Sequence, residues 1–306
     1  MEFSERLSSS VKEVDKIIRS YLPKVEGYQE TVMDAMNYSF MAGGKRLRPM
    51  IMLKSYKAFG GEGRIIEPFM AALEMIHTYS LVHDDLPEMD NDELRRGKPT
   101  THIKYGQAMA VLAGDGLLNF AFETALKAVD MEPSQEESLR ILKAMKVLSG
   151  KAGIYGMIGG QVVDVESEKK NEQLSMEQLI FIHENKTAAL LQSALMIGAI
   201  LAGASDEDIS VLEEAGRHIG VAFQIQDDIL DVTSTTEVLG KPVGSDEENG
   251  KLTYVSYNGL EKATEDQKDM SAQAVSILTK LKDTKCQNEH MEFLIELVES
   301  LVNRKL

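Results

Sequence analysis

Val221-Ala222-Phe223-Gln224-Ile225-Gln226-Asp227-Asp228-Ile229-Leu230-Asp231 is the stretch on which the fold turns. Asp227 and Asp231 are four residues apart, so on an α-helix they share one face, one turn from each other. Two carboxylates placed this way repel unless a cation sits between them. A second acidic cluster, Asp84-Asp85-Leu86-Pro87-Glu88-Met89-Asp90, lies 143 positions earlier. The expectation is a chain that brings these two clusters face to face across an apolar cavity.

Outward from that stretch the pattern is helical, and no convincing strand alternation stands out. Helices are expected over 4–22, 29–41, 47–59 and Ile66–Leu86, the last stopped by Pro87. Further helices follow over 107–129, 135–149, 151–170, 175–203 and 206–235, with two or three more within 254–304. No 20–50-residue spacing repeats, which disfavours a solenoid. No linker-like shift breaks the chain. The fold class is therefore all-α, a single large helical domain spanning 1–306 with about ten core helices.

Composition narrows the setting. Of 306 residues 43% are hydrophobic, enough for a large core, and 27% are charged. Cys286 stands alone, which excludes an internal disulfide and fits a reducing, cytoplasmic compartment. The first residues, Met1-Glu2-Phe3-Ser4-Glu5-Arg6, do not read as a signal peptide, and no lipidation box is expected at the other end. A formal charge of −16 argues against nucleic acid as a partner. It also argues against an anionic substrate, unless divalent cations mediate and the basic residues are locally concentrated. Thr187–Ser205 has no formal charge over 19 residues, close to membrane-spanning length. Its Ala and Gly content, with Gln192 and Ser193 inside, favours a buried central helix or one at a subunit interface.

The basic residues are concentrated. Gly43-Gly44-Lys45-Arg46-Leu47-Arg48-Pro49 puts three cations in a glycine-led turn. Such a turn either lets backbone N–H groups and an Arg fork approach phosphate oxygens, or is a solvated helix cap. His77 alone reads as structural. Asp84 and Asp85 close a long helix, and Asp90, six residues beyond Asp84, stacks with it only if the turn at Pro87 folds back. Carboxylate oxygens with open water positions suit Mg²⁺. Arg95-Arg96-Gly97-Lys98 follow at once, so acid and base fall within a dozen residues, as a metal–diphosphate complex requires. Gln224 precedes Asp227, and Gly240-Lys241-Pro242-Val243-Gly244 is a turn-rich loop able to swing over a site. Lys186, at the start of the charge-free helix, either snorkels or binds a leaving group. Gln161 and Asp164 either line the cavity or pack.

Together these residues resemble the trans-prenyltransferases, the short-chain isoprenyl diphosphate synthases, and within them the bacterial farnesyl diphosphate synthases. The matching pieces are Gly43–Pro49, His77–Thr100, Gly159–Asp164, Lys186–Thr187 and Phe223–Lys251, in the family's order over about residues 29–257. The resemblance implies the isoprenoid synthase fold, a homodimer with ten core helices around a deep cavity in each subunit. It implies that Asp84, Asp85, Asp90, Asp227 and Asp231 hold Mg²⁺, three ions per site, on an allylic diphosphate, with Asp228 in the same catalytic motif. Arg95, Lys186, Thr187, Gln224 and Lys241 would hold that substrate as well. Gly44, Lys45, Arg48, His77 and Arg96 would hold isopentenyl diphosphate. Arg304 and Lys305 would help cover the site. Asn91 stands where many relatives carry another aspartate.

The implied reaction ionises an allylic C–O bond, shields the carbocation from water, and lets the double bond of isopentenyl diphosphate attack before a proton is lost. That chemistry needs no Ser-His-Asp or Cys-His arrangement. Tyr79 lies five residues, about 7.5 Å of helical rise, before Asp84. An aromatic there serves the family as a floor under the growing chain, and with Ser80 beside it the resemblance is to enzymes that stop at C15. Competing readings are a geranylgeranyl (C20) diphosphate synthase, a terpene cyclase, which would not need the Gly43–Arg48 loop, and a non-catalytic helical subunit, which would be expected to have lost aspartates.

Overall fold

The computed structural model describes residues 2–170, 174–233 and 252–302. Among them the architecture is all-α apart from one two-residue-per-strand hairpin. The helices are α1 (Phe3–Arg19), α2 (Glu30–Phe40), α3 (Leu47–Ala58), α4 (Glu67–Asp84), α5 (Thr101–Tyr105), α6 (Gln107–Leu126) and α7 (Gln135–Ala152). They continue as α8 (Met157–Lys170), α9 (Met176–Ile182), α10 (Ala189–Ala202), α11 (Asp206–Thr233), α12 (Tyr254–Thr284) and α13 (Glu289–Val302). The expected elements are present with shifted ends. The break expected near residue 150 falls after Ala152, and α8 begins only at Met157, after a turn in which the Ile158 N–H reaches Gly153 O. Gly259, at φ 76°, kinks α12.

The helices gather into two compact units. The first holds Met1–Leu53 and Glu62–Met145, the second Lys54–Gly61 and Lys146–Leu306, so α3 and α7 each contribute to both.

In the first unit α4 is the axis. Pro68 in its first turn suits a helix start, where no intrahelical N–H is needed. Phe69 to Ile76 are all buried, so the helix has no solvent face over two turns. Arg46 is also buried there, 3% exposed. Its guanidinium donates to Glu74 at 2.7 Å, to Asp15 at 2.9 Å and to the Phe40 carbonyl at 2.8 Å, and it stacks over the Phe40 ring. One of the three cations of the basic turn is thus turned inward and ties α1, α2 and α4 together.

In the second unit the charge-free segment is the core. Every residue of α10 from Ala189 to Leu201 is buried, and Leu195 O accepts the Ser55 hydroxyl at 2.7 Å. The buried-helix reading of Thr187–Ser205 holds from Ala188 to Leu201, while Gly203 and Ser205, beyond the helix, are exposed. By length and composition two helical stretches, Gln107–Met131 and Met176–Ala202, are apolar enough to cross a membrane, and the second lies mostly inside the unit. α9 begins at a capping box between Ser175 and Gln178, and α12 at another between Thr253 and Ser256.

A buried ion pair that loses one partner leaves an uncompensated charge inside the protein. Arg46→Ala is therefore expected to destabilise the chain by about 3–5 kcal/mol, measured by urea unfolding.

Candidate active site

In the first unit the site begins where α4 ends. The Asp85 N–H still donates to Leu81 O, then the chain turns and the Asp90 N–H donates back to Asp84 O at 2.9 Å. This is the fold-back that the spacing of Asp84 and Asp90 required. Asn91 sits at φ 54° with its N–H on Leu86 O. Asn tolerates this left-handed conformation better than most residues.

The next element was not expected. Leu94–Arg95 pairs antiparallel with Lys98–Pro99. The two loop residues, Arg96 (φ 54°) and Gly97 (φ 73°), both take positive φ, as the tight hairpin turn matching strand twist demands. The hairpin delivers two arginines in different directions. Arg95 reaches Asp85, with Nε at 2.7 Å and Nη2 at 2.6 Å, both on Oδ1. Burial pushes the Asp85 carboxyl above its ordinary value, against the hydrogen bond and charge of Arg95. Arg96 reaches the Gly43 carbonyl. A Cβ on Gly44 would lie 2.8 Å from Arg96 Nη1, and Gly44 itself has φ 140°, so the second glycine of the basic turn is needed for space and for conformation.

Arg48 and His77 complete the basic side. Among the described residues Arg48 Nε is buried without a hydrogen-bond partner. Its guanidinium pKa is lowered by burial first and by Arg96 among the charges. Burial, then Arg48, Arg96, Arg95 and Arg46, hold His77 well below the usual histidine range, so it offers a neutral imidazole. His77, Asp85, Arg95 and Arg96 line a cleft with Glu74, Thr78 and Thr101, whose empty space, open to solvent, is about 450 Å³. Lys45 is exposed at the turn. Tyr79 is buried at 6% exposure, with its hydroxyl pKa pushed up to about 12 by burial and by Asp84. Ser80 is half-buried and donates to His77 O.

The second unit holds the other cluster. Asp227 and Asp231 stand one turn apart on α11, the first half-buried and the second 2% exposed. Asp228 faces elsewhere: its Oδ2 accepts the Tyr254 N–H at 2.8 Å and lies 4.0 Å from His183 Nε2. It fastens the start of α12 to the acidic motif. Lys186 and Thr187 lie on a single π-helical stretch, His183–Ala188, between α9 and α10. Such insertions shift the register of side chains and recur at functional sites. Here Lys186 pairs with Asp164, and the Thr187 hydroxyl donates to Gln224 Oε1 at 3.0 Å. A Cβ on Gly160 would lie 2.3 Å from Lys186 N, so glycine is what lets α8 approach this backbone. Lys241, its loop, Arg304 and Lys305 lie outside the described residues.

Among the described residues no three acidic or histidine side chains already converge on one point. Two features still fit a hard cation: Asp90 is folded onto the Asp84 backbone, and Asp227 and Asp231 form an all-oxygen pair one helical turn apart.

Fold and site define a class: a helical protein that, among the described residues, presents carboxylate motifs beside arginines. Residues 29–295 match the polyprenyl synthetase family, and the chain belongs to it. It is 48% identical over 257 residues to the farnesyl diphosphate synthase of Bacillus subtilis, covering 84% of this chain and 85% of the relative. It is 44% identical over 265 residues to the large subunit 1 of a heterodimeric geranylgeranyl pyrophosphate synthase of Arabidopsis thaliana, covering 86% and 70%. A Helicobacter pylori geranyltransferase solved with magnesium and isoprenyl diphosphate superimposes with a TM-score of 0.82 at 32% identity, covering 99% and 97%.

His183 is 4% exposed, and burial lowers its pKa to about 4. Between that value and the ordinary 6.5 the unfolded chain binds a proton that the folded chain does not, so stability falls as pH falls through this window. The loss from this residue is expected to reach about 3 kcal/mol near pH 4. Denaturant titrations from pH 7 to 4 should show a shallower loss in His183→Gln.

Proposed function

We propose that the protein is a Mg²⁺-dependent farnesyl diphosphate synthase, a geranyltranstransferase. It condenses isopentenyl diphosphate head-to-tail with dimethylallyl and geranyl diphosphate to give (E,E)-farnesyl diphosphate by ionisation, condensation and elimination. The observation that carries this reading is the joining of acid and base in one local structure: Asp84, Asp85 and Asp90 at the end of α4, and Arg95 and Arg96 on the hairpin that folds against them. The bacterial farnesyl diphosphate synthase relatives, at 44–48% identity, support the same chemistry.

Three Mg²⁺ ions per site would be held by Asp84, Asp85, Asp90, Asp227 and Asp231. Bound there, Mg²⁺ supplies Lewis-acid neutralisation of the charge that grows on a departing diphosphate. The rest falls to the protein. Lys186, Thr187, Gln224, Arg95 and Lys241 orient the allylic diphosphate and take up charge on its oxygens as the C–O bond breaks. Arg48, with its buried Nε, and Arg96, held on the Gly43 carbonyl, bind isopentenyl diphosphate with Gly44, Lys45 and neutral His77. The C4 methylene carbon of isopentenyl diphosphate attacks C1 of the allylic cation through its π electrons. Loss of a proton from C2 to the released diphosphate forms the new double bond. Asp228 assists as a positioning group through its bond to the Tyr254 backbone.

The two compact units act as one polyprenyl synthase domain, cytoplasmic and paired as a homodimer. Support for the pairing is the apolar surface of the first unit: Val111 and Leu112 on α6, and Leu139 and Leu142 on α7, are 41–63% exposed.

The geranylgeranyl synthase relatives favour a C20 product, whereas buried Tyr79, five residues before Asp84, supports C15. Incubation with labelled isopentenyl diphosphate, geranyl diphosphate and Mg²⁺ should give C15, and Tyr79→Ala should give C20 or longer. No incorporation by the wild-type chain would defeat the enzyme assignment. C15 alone from Tyr79→Ala would defeat the floor.

A further inference from the structure

We propose that His83 and Gly114 set product length together with Tyr79, as positioning residues behind the aromatic floor. The inference rests on the floor role given to Tyr79 above. Tyr79 and His83 are one turn apart on α4, and their rings meet edge to face, centroids 5.8 Å apart at 81°. That geometry is the favourable one for aromatic pairs, and it fixes the plane of the tyrosine from one side.

His83 is held in turn from α6. Its Nε2 lies 3.1 Å from the Val111 carbonyl and 4.0 Å from Asp115 Oδ1. The ring fits there only because residue 114 is glycine: a Cβ at that position would lie 2.0 Å from Nε2 and 2.3 Å from Cδ2. No real side chain contact is that short, so a single methyl group must evict the imidazole. With the α6 backbone behind it, the ring then leaves its pocket or presses on Tyr79. Neither His83 nor Gly114 has been placed in the diphosphate-binding or metal-binding machinery. Their effect should be on where the chain stops growing, a readout that a merely structural role would not move.

Full-length Gly114→Ala, His83→Ala, Tyr79→Ala and the double variant His83→Ala/Tyr79→Ala should be incubated with geranyl diphosphate, labelled isopentenyl diphosphate and Mg²⁺. The products are then hydrolysed and sized, with folding checked by circular dichroism. His83→Ala and Gly114→Ala are expected to raise the C20 to C15 ratio roughly tenfold over wild type, about 1.4 kcal/mol of discrimination. The double variant should make chains no longer than Tyr79→Ala alone, because the residues act in one series. If Gly114→Ala does not fold, His83→Ala decides. Unchanged C15 from the His83 and Gly114 variants, with longer chains from Tyr79→Ala, overturns this inference and leaves the floor standing. Unchanged C15 from Tyr79→Ala overturns both. A folded His83→Ala that makes no product also overturns it, since His83 would then belong to the reacting machinery.

Discussion

The contact between Arg95 and Asp85 is the one on which the first half of the site depends. A carboxylate that closes a buried helix would by itself repel the aspartates around it, and burial raises its proton affinity. The two nitrogens that Arg95 places on a single oxygen, at 2.6 and 2.7 Å, offset that tendency and tie the hairpin to the end of α4. With the hairpin anchored, Arg96 reaches across to the Gly43 carbonyl, and the basic turn is held beside the acidic one. Positive and negative side chains thus stand in a fixed arrangement within a chain whose net charge is −16. A polyanion is attracted by local placement of charge, not by the molecule as a whole.

Glycines set the spacing on both sides. Gly44 makes room for the Arg96 guanidinium, Gly160 admits the Lys186 backbone, and Gly114 admits the His83 ring. In each case a Cβ would fall within 3 Å of a group that carries or supports a functional side chain. These glycines make room where two elements touch, and Gly44 is needed for its positive φ as well.

Much of this was legible in the sequence because its signals are local. The period of Val221–Asp231 places two carboxylates on one face, and Pro87 forces the turn that returns Asp90 to Asp84. What escaped is what depends on partners distant in sequence. Arg46 reads as one of three equivalent cations, and only its contacts to Asp15 and Glu74 reveal a structural role. The Leu94–Pro99 hairpin is too short to alternate, although the glycine in a two-residue loop was a usable sign. The π-helical stretch at Lys186 is silent, since the flanking helices keep their ordinary period and one extra residue per turn leaves no compositional trace. Asp228 looks like a third member of the acidic motif, and its bond to the Tyr254 N–H, 26 residues on, separates it from Asp227 and Asp231.

The central claim is that the aspartates hold a diphosphate through divalent cations while the arginines and lysines hold it directly. Calorimetric titration of the full chain with inorganic diphosphate, with and without Mg²⁺, tests this most directly. Binding should require Mg²⁺ and should be lost in both Asp84→Asn and Asp231→Asn, each of which keeps the side-chain shape and removes one charge. Diphosphate binding of equal strength without Mg²⁺, or undiminished in both variants, would contradict the account.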